Sequence, residues 1–309
     1  MPRGPAYFPS PKACIYCGAT NVRLTDEHVV PYALGGSHVL REASCDRCAK
    51  ITTKFEQRVA RDLWGDARIS FNAPTRHKRE RKANIDMPDA DNRAKSLTIP
   101  AQEYPAGFVF YKISKAGLLC GLPESVDLSA LWQMVVVDDD KRRAKFLETR
   151  PDKKVVIRFR HVPEDFGKLL AKIGYCQTLT ALDLGDFRPI CLPYILGTRP
   201  NSSYIVGGTM EDQLPEPENG YSLSTAGFGT LHRLMLVALI RLYANTHAPA
   251  YHVVVGDVIG AENVQRVLMK LGTENISLGF ATNDSATRRE HWEPDAMPLP
   301  FWEPTQAAD

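Results

Sequence analysis

The sequence lacks the long apolar run that a membrane-spanning helix requires. Its most apolar stretch, LMLVALIRLYANT, follows Arg233 and is interrupted by Arg241. A spanning helix needs about 18 or more apolar residues, so this stretch predicts a buried helix of a globular protein. The first residues, MPRGPAYFPSPK, contain no apolar core, so no secretory signal is expected. The prediction is a cytoplasmic protein without a membrane partner.

The sequence also lacks a disulfide framework, a phosphate-binding glycine loop and a nucleophile elbow. It contains seven cysteines, an odd number, and four of them form two CxxC pairs. This arrangement favours a metal site in a reducing compartment. The formal charge of +2 is unevenly distributed. Residues 1–96 hold 17 Lys and Arg against 11 Asp and Glu, and the remaining residues hold 21 against 25. A basic first third indicates a polyanionic partner.

The chain divides by composition into an N-terminal module (residues 1–71), a basic linker (residues 72–96) and a larger domain (residues 97–309). In the N-terminal module, VVPYAL is expected to be extended, Gly35-Gly36 to form a turn, and HVL to return as a strand. Ile51, Phe55, Val59 and Leu63 then repeat every four residues. This period predicts an amphipathic helix ending near Gly65.

The larger domain is predicted to be α+β. Strands are expected at GFVFYKI, LWQMVVV, KKVVIRFRH and YHVVVGDV, and helices at DFGKLLAKIGYCQTL and GTLHRLMLVALIRLYAN. A loose tail is expected after His291. This domain carries no recognisable chemistry: His232 is expected in the core or at an interface, and Gly207 and Gly208 at a turn or bulge. The remaining cysteines are expected to be buried thiols; these are Cys120, Cys176 and Cys191.

The two CxxC pairs predict a structural zinc site. Cys14 and Cys17 precede Cys45 and Cys48 by a spacing that lets two tight turns complete one tetrahedral shell. A shell of four thiolates has no position for water, so this zinc is expected to be structural. The alternative is four free cysteines that are paired by chance.

Between the thiolate pairs lies Glu27-His28-Val29-Val30-Pro31, followed by Gly35-Gly36, and Cys48 leads into a helix with Lys54, Phe55 and Glu56. Over residues 13–64 this pattern resembles the HNH endonuclease family, which is built on the ββα-metal fold. The resemblance implies a small zinc-bound ββα module followed by a larger α+β domain. It implies that His28 is the general base that activates water, and that Glu27 helps to hold catalytic Mg²⁺ or Mn²⁺. The alternative for His28 is a packed structural histidine.

Elementary chemistry supports these implied roles. A phosphodiester is anionic, so a metal ion must neutralise developing charge, and magnesium or manganese accepts carboxylate and phosphate oxygens. Histidine is the base that titrates near neutral pH. Adjacent strand residues point to opposite faces, so Glu27 and His28 need a bend to share one site.

The sequence departs from the family pattern at two positions. The helix residue after the second CxxC, usually asparagine or histidine, is Ala49, and the middle asparagine falls near Leu40. Glu56, two helical turns after Ala49, can substitute as a metal ligand or can be a surface glutamate. Thr53 is a nearer but weaker substitute. Asp26 is expected in a loop or cap.

Nucleic-acid contacts are expected from basic side chains. Five Lys and Arg lie in TRHKRERK, which can contact phosphates or form a solvated linker. His38 can contact phosphate, but a place on the second strand is favoured. The predicted contact residues are Arg58, Arg61, Arg76, Lys78, Arg79, Arg81 and Lys82.

The sequence therefore predicts an HNH-type endonuclease that hydrolyses nucleic acid, with DNA favoured over RNA. The larger domain would supply recognition, regulation or dimerisation, so a homodimer is compatible with the sequence. Two alternatives stay open. One is a catalytically inactive zinc module that binds nucleic acid, and the other is a regulatory or interaction protein whose function lies in the larger domain.

Overall fold

The structure, a computed structural model, describes residues 5–75, 81–92, 94–216 and 220–272, and the backbone of residues 276–277. It is a mixed α+β protein, as the sequence predicts. In the described part of the chain, no helix combines the length and apolarity needed to cross a bilayer. The predicted tail after His291 lies outside the described residues.

The N-terminal module forms a three-stranded sheet followed by a helix. Strand β3 pairs with β2 in antiparallel fashion and with β1 in parallel fashion. Its elements are β1 (Ala6–Phe8), β2 (Leu24–His28), β3 (His38–Cys45) and helix α1 (Asp46–Arg58). The order of strand, turn, strand and helix agrees with the expected hairpin and helix.

The stretch expected to be extended before Gly35 is a turn instead. Strand β2 ends at His28, and Tyr32–Leu34 form a 3₁₀ turn. Gly35 closes this turn with φ +88°, a left-handed conformation that costs glycine little. Gly36 packs so closely that a Cβ atom would lie 1.8 Å from the Val30 carbonyl oxygen. The double glycine therefore lets the chain fold back tightly behind β2.

The helix after β3 ends near Gly65, as the sequence predicts, and a second short helix follows. Helix α1 continues into a π-helical turn (Val59–Leu63), and α2 (Gly65–Ser70) follows. The wider turn arises because the Trp64 N–H donates to the Val59 carbonyl oxygen, five residues earlier. The Trp64 indole is buried, and its Nε1 donates to the Val109 carbonyl oxygen over 2.6 Å. The helix is thus anchored to a strand of the larger domain.

The region expected to be a basic linker contains regular structure. Strand β4 (Asn84–Pro88) pairs with β5 (Ser96–Pro100) as an antiparallel hairpin. Ile85, Met87 and Ile99 are buried. The alternation of apolar and polar residues in NIDMP, which is typical of a half-buried strand, gives this hairpin its core-facing side.

The larger domain is built around a long antiparallel sheet with the order β13-β10-β11-β12-β8, in which β9 also pairs with β12. A separate hairpin pairs β6 with β7. The strands are β6 (Gly107–Lys112), β7 (Gln133–Asp138), β8 (Arg188–Pro189), β9 (Val206–Gly208), β10 (Tyr221–Gly229), β11 (Arg233–Leu242), β12 (Ala250–Ile259) and β13 (Ile276–Ser277). The helices are α3 (Asp140–Thr149), α4 (Pro163–Thr178), α5 (Leu192–Ile195) and α6 (Ala261–Leu271).

Two predicted elements of this domain are wrong. The stretch GTLHRLMLVALIRLYAN is not a helix but supplies β11, which pairs with β10 and β12 and is buried along most of its length. A strand buried on both sides reads as a continuous apolar run, which periodicity alone cannot distinguish from a helix. The stretch KKVVIRFRH forms no strand; it runs beside the N-terminal module, where Arg158 forms an ion pair with Asp66 and the Arg160 N–H donates to the Asp62 carbonyl oxygen.

Several single residues also differ from expectation. His232 lies exposed in the turn before β11 rather than on an apolar helix. Cys120 is exposed, whereas Cys176 and Cys191 are buried. Gly207 lies in β9, where a Cβ atom would lie 2.4 Å from His252 Nε2. The two glycines of β9 thus serve close packing.

Helix α4 joins the two parts of the molecule. Gly174 lets it approach the large sheet closely, since a Cβ atom there would lie 3.0 Å from Val253 Cβ. Its opposite side contacts α1 and the first CxxC turn, where the Tyr175 hydroxyl donates to the Ile15 carbonyl oxygen over 2.6 Å. One apolar core therefore runs continuously from the N-terminal module into the large sheet.

Candidate functional site

The four cysteines of the CxxC pairs meet at one point. The Sγ atoms of Cys14, Cys17, Cys45 and Cys48 all lie within 4.8 Å of one another. Cys17 and Cys45 have their sulfurs 3.8 Å apart. Four sulfurs that each lie about 2.3 Å from a tetrahedral ion are separated from one another by about the distance seen between Cys17 and Cys45. The cluster therefore fits a tetrahedral metal ion such as zinc.

Local backbone geometry explains how the cluster forms. The Gly18 N–H donates to the Cys14 carbonyl oxygen, and Gly18 adopts φ +70°, so the first pair lies on a tight turn. Cys45 ends β3 and caps α1, which places Cys48 in the first helical turn. The Cys45 N–H points at Cys14 Sγ, 3.4 Å away, an interaction that favours a thiolate.

Glu27 and His28 end strand β2 in regular register, opposite Leu40 and Val39. The irregularity of this strand comes before them, between Thr25 and Glu27. The two side chains consequently leave the strand on opposite faces. The bend expected to bring them to one site is thus absent from the pair itself.

Asp26 stabilises the strand irregularity. Its carboxylate accepts a hydrogen bond from the Glu42 N–H over 3.0 Å, and Glu42 has the left-handed φ of +46°. Asp26 is exposed and lies within β2, not in the loop or cap that the sequence predicts.

His28 is half-buried and adjoins a braced loop. Its ring centroid lies 5.8 Å from that of Tyr32. The loop beyond Tyr32 is held from both sides: the Arg68 guanidinium donates to the Ala33 carbonyl oxygen over 2.9 Å, and the Tyr221 hydroxyl donates to that of Leu34. Arg68 belongs to the N-terminal module and Tyr221 to the large sheet. Both parts of the chain therefore position the loop next to His28.

Glu27 and Glu56 lie together on the other face, and a lysine from α4 lies between them. Lys172 Nζ is 2.8 Å from Glu27 Oε1 and 3.0 Å from Glu56 Oε1. The same ammonium donates to the His28 carbonyl oxygen and, over 3.4 Å, to that of Val29. The Lys172 side chain is 0% exposed and that of Glu27 is 9% exposed. This is a buried charge cluster that ties the site to the larger domain.

The cluster shifts the pKa values of Lys172 and Glu56. Burial lowers the pKa of Lys172, but the carboxylates of Glu27 and Glu56 outweigh this effect and hold the pKa above its usual value. Burial raises the pKa of Glu56, against the lowering effect of the Lys172 charge, and Glu27 raises it further. Lys172 is therefore charged at neutral pH.

The two positions that depart from the family pattern offer no ligand atom: Leu40 is buried in the core, and Ala49 is an alanine on α1. Thr53 has a hydroxyl but is exposed on α1. Within the described ranges, the four cysteines are the only group of three or more potential metal-ligating side chains found together. As folded, Glu27 and Glu56 direct one oxygen each to the Lys172 ammonium, so their arrangement does not fit a divalent ion between them.

The predicted nucleic-acid contacts fall into three groups: side chains that bind another protein group, exposed side chains, and residues outside the described ranges. Arg58 forms two hydrogen bonds of 3.0 and 3.1 Å with the Asp165 carboxylate of α4, although half of its side chain is exposed. Arg61 is exposed, and its guanidinium donates to the main-chain and side-chain oxygens of Gln57, one turn earlier. Arg81 is half-buried, and its guanidinium donates to the Ala73 carbonyl oxygen. Lys82 is exposed.

The remaining predicted contacts, Arg76, Lys78 and Arg79, lie outside the described residues. His38 is on β3, as expected, with its ring packed edge-on against Phe8 at 5.5 Å.

Sequence reasoning missed Lys172. It lies 144 positions after His28 on a helix whose neighbours are apolar. Its signal was the lysine inside LLAKIGYC, a stretch of the helix that is otherwise fit for full burial. A buried lysine requires acidic partners, but the sequence does not identify them.

Comparison with known proteins adds a family for part of the chain. Residues 14–63 match the family model described as HNH endonuclease. This segment runs from the first cysteine through β2, β3 and α1 to the π-helical turn. No curated protein and no solved structure gave a significant match to the chain.

Proposed function

We propose that this protein is an HNH-type endonuclease that hydrolyses phosphodiester bonds of nucleic acid, with DNA as the substrate. The observation that carries the proposal is the placement of His28. It ends a strand that packs on a helix beside a four-cysteine cluster, in the segment that matches the HNH endonuclease model.

In the proposed reaction, His28 acts as the general base. Its imidazole takes a proton from water as the water oxygen bonds to phosphorus. The bond from phosphorus to the leaving oxygen breaks, and that oxygen takes up a proton from solvent to become a hydroxyl. Positioned base catalysis contributes about 10²–10⁴-fold to such a reaction. Zinc in the four-cysteine cluster would hold the first turn, β3 and α1 together and would stay outside the chemistry.

The second proposed role is binding of the polyanion by basic side chains. Arg61 and Lys82 are exposed on the N-terminal part of the chain, and a phosphate backbone is recognised by such charges without sequence preference. We assign the contact first to these two, because Arg58 and Arg81 already bind other groups.

The proposal is tested by plasmid cleavage with purified full-length protein and with His28→Ala and His28→Gln. Zinc content and thermal unfolding are measured for all three, with Mg²⁺ and Mn²⁺ each added or omitted. Nicking by the wild type that falls by about 10²-fold or more in both folded variants is the expected result. Equal cleavage by wild type and His28→Ala would overturn the assignment of the base.

A second candidate is an HNH-like module that binds nucleic acid without cutting it. The arrangement of Glu27 and Glu56 around Lys172 favours this candidate, because a hydrolytic site needs a cation near the phosphate and this one is fully buried. Binding without cleavage by the zinc-replete wild type, unchanged in His28→Ala, would identify it. The same gel-shift and cleavage assays separate the two candidates.

A further inference from the structure

Lys172 has the surroundings of a bound cation. Four oxygens contact its ammonium: one carboxylate oxygen each from Glu27 and Glu56, and the carbonyl oxygens of His28 and Val29. Two carboxylates that converge in a buried site repel each other unless a cation lies between them. Here a side chain of the same polypeptide supplies that cation.

The helix that carries Lys172 is fixed on both sides of it. Tyr175 donates to the Ile15 carbonyl oxygen on the first CxxC turn, and Asp165 holds the Arg58 guanidinium of α1. The opposite face of α4 packs on the large sheet. Withdrawal of the ammonium would therefore require the helix to leave both neighbours.

The oxygens around Lys172 are spaced for an ammonium and not for a small divalent ion. Mg²⁺ demands oxygens at about 2.0–2.1 Å, whereas the two carboxylate oxygens here lie 2.8 and 3.0 Å from nitrogen, the range of charge-assisted hydrogen bonds. Ala49, at the position where the family pattern has a third ligand, adds none.

We propose that the Lys172 ammonium is the resident cation of the Glu27–Glu56 pair and replaces a divalent metal ion there. In the folded chain the pair then takes neither Mg²⁺ nor Mn²⁺, and the two carboxylates serve to hold α4 against β2 and α1. The inference concerns the site of the proposed function but does not require cleavage, because it is a statement about metal binding.

The proposal predicts that a metal site appears when the ammonium is removed. In Lys172→Met, a side chain of similar length loses its charge, and two carboxylates are left facing each other. Their mutual repulsion is relieved by a bound divalent ion, or by one shared proton where no metal ion is supplied. Mn²⁺ is the probe, since its free ion is counted directly by electron paramagnetic resonance.

The experiment titrates Mn²⁺ into zinc-loaded full-length wild type, Lys172→Met, and Lys172→Met combined with Glu27→Gln. Lys168→Met, one helical turn earlier on α4, is the matched control. We expect no Mn²⁺ binding by the wild type or the control. For Lys172→Met we expect one saturable Mn²⁺ site per chain, which the wild type and the control lack. The gain should disappear when Glu27→Gln is added.

The wild-type titration keeps the proposal falsifiable even if Lys172→Met does not fold. One Mn²⁺ bound by wild-type protein and lost in Glu27→Gln would overturn it, as would a folded Lys172→Met that gains no binding. These outcomes are independent of cleavage. A wild type that cuts DNA and binds Mn²⁺ through Glu27 refutes the inference but supports the proposed function. A wild type that neither cuts DNA nor binds Mn²⁺, beside a Lys172→Met variant that binds Mn²⁺, supports the inference but contradicts the proposed function.

Discussion

The N-terminal module contains two charged clusters that are built in opposite ways. The four-cysteine cluster is local: its residues span positions 14–48, and two short turns bring them together. The cluster of Glu27, Glu56 and Lys172 is distant in sequence, and its central residue comes from a helix of the larger domain. The first cluster joins elements within the N-terminal module, whereas the second joins the module to the larger domain.

The difference separates what stabilises the module from what completes it. A metal ion can join β3, α1 and the first turn without the rest of the chain. The Glu27 carboxylate, however, is buried at a contact with α4, and the Glu56 carboxylate beside it is partly buried; both would lack a compensating charge without Lys172. The predictions below weaken one cluster at a time, beginning with the largest expected effect.

Loss of the four-cysteine cluster should have the largest effect. Cys48→Ser removes a buried ligand, and structural zinc in comparable sites contributes about 10–16 kcal/mol of apparent binding free energy. We expect loss of bound zinc and unfolding of the N-terminal module, measured by metal analysis and circular dichroism. Cys120→Ser, at an exposed cysteine outside the cluster, is the control and should keep its zinc. A stable, metal-free Cys48→Ser variant would show that the fold does not depend on the ion.

Loss of the lysine should have the next largest effect. Without added divalent metal, Lys172→Met leaves the buried Glu27 and the partly buried Glu56 carboxylate without their cation, and breaking a buried ion pair in this way costs about 3–5 kcal/mol. Adding Glu27→Gln and Glu56→Gln to the same variant should recover much of this free energy, because no uncompensated charge remains. Urea unfolding of the three proteins measures both steps. Equal stability of the single and triple variants would show that the carboxylates stay solvated.

A buried histidine of the larger domain tests whether acid sensitivity arises outside both clusters. Burial lowers the pKa of His252 to about 4, and its Nε2 accepts the Ala116 N–H over 3.1 Å. A lowered folded-state pKa means that the stabilising contribution is present above pH 6.5 and is lost as pH falls towards 4. The shift corresponds to about 3 kcal/mol. The unfolding free energy of the wild type should fall across this window.

His252→Gln should flatten that pH dependence while the acceptor for Ala116 is kept. Unfolding free energies are measured at several pH values between about 7 and 4. This interval of about 3 pH units contains the pKa values of the histidine in the unfolded and the folded protein, and it gives the slope of stability against pH. An unchanged slope in the variant would place the acid sensitivity elsewhere, with the carboxylates around Lys172 as the next groups to examine.

The smallest expected effect distinguishes two arginines of one helix. Arg58 already binds the Asp165 carboxylate, whereas Arg61 is exposed and donates to the uncharged side chain of Gln57. We expect Arg61→Gln to weaken DNA binding and to lower its salt dependence by about one phosphate contact. Arg58→Gln should change stability by about 1 kcal/mol or less, since its side chain is half-exposed. Gel-shift titrations at several salt concentrations measure both, and equal losses of affinity would contradict the assignment.

The sequence predicted the local parts of this fold better than its long-range parts. The CxxC turns, the order of β2, β3 and α1, and the meeting of four cysteines follow from spacing within about 50 residues, as loop closure over such short distances allows. Helix α4 was predicted from its period, but its role was not, because burial of Lys172 depends on partners far away in the chain. Strand β11 was mistaken for a helix, since a fully buried strand lacks alternation.

The position of α4 has a consequence for local opening. Hydrogen exchange reports which segments open together, and segments that share a buried contact open as one cooperative unit. Because Tyr175 reaches Ile15 and Gly174 lies against Val253, the amides of the first CxxC turn, α4 and β12 should exchange at a common slow rate. Removal of the metal ion would then accelerate exchange in a sheet strand more than 200 residues away in the chain, counting from Cys48 to Val253.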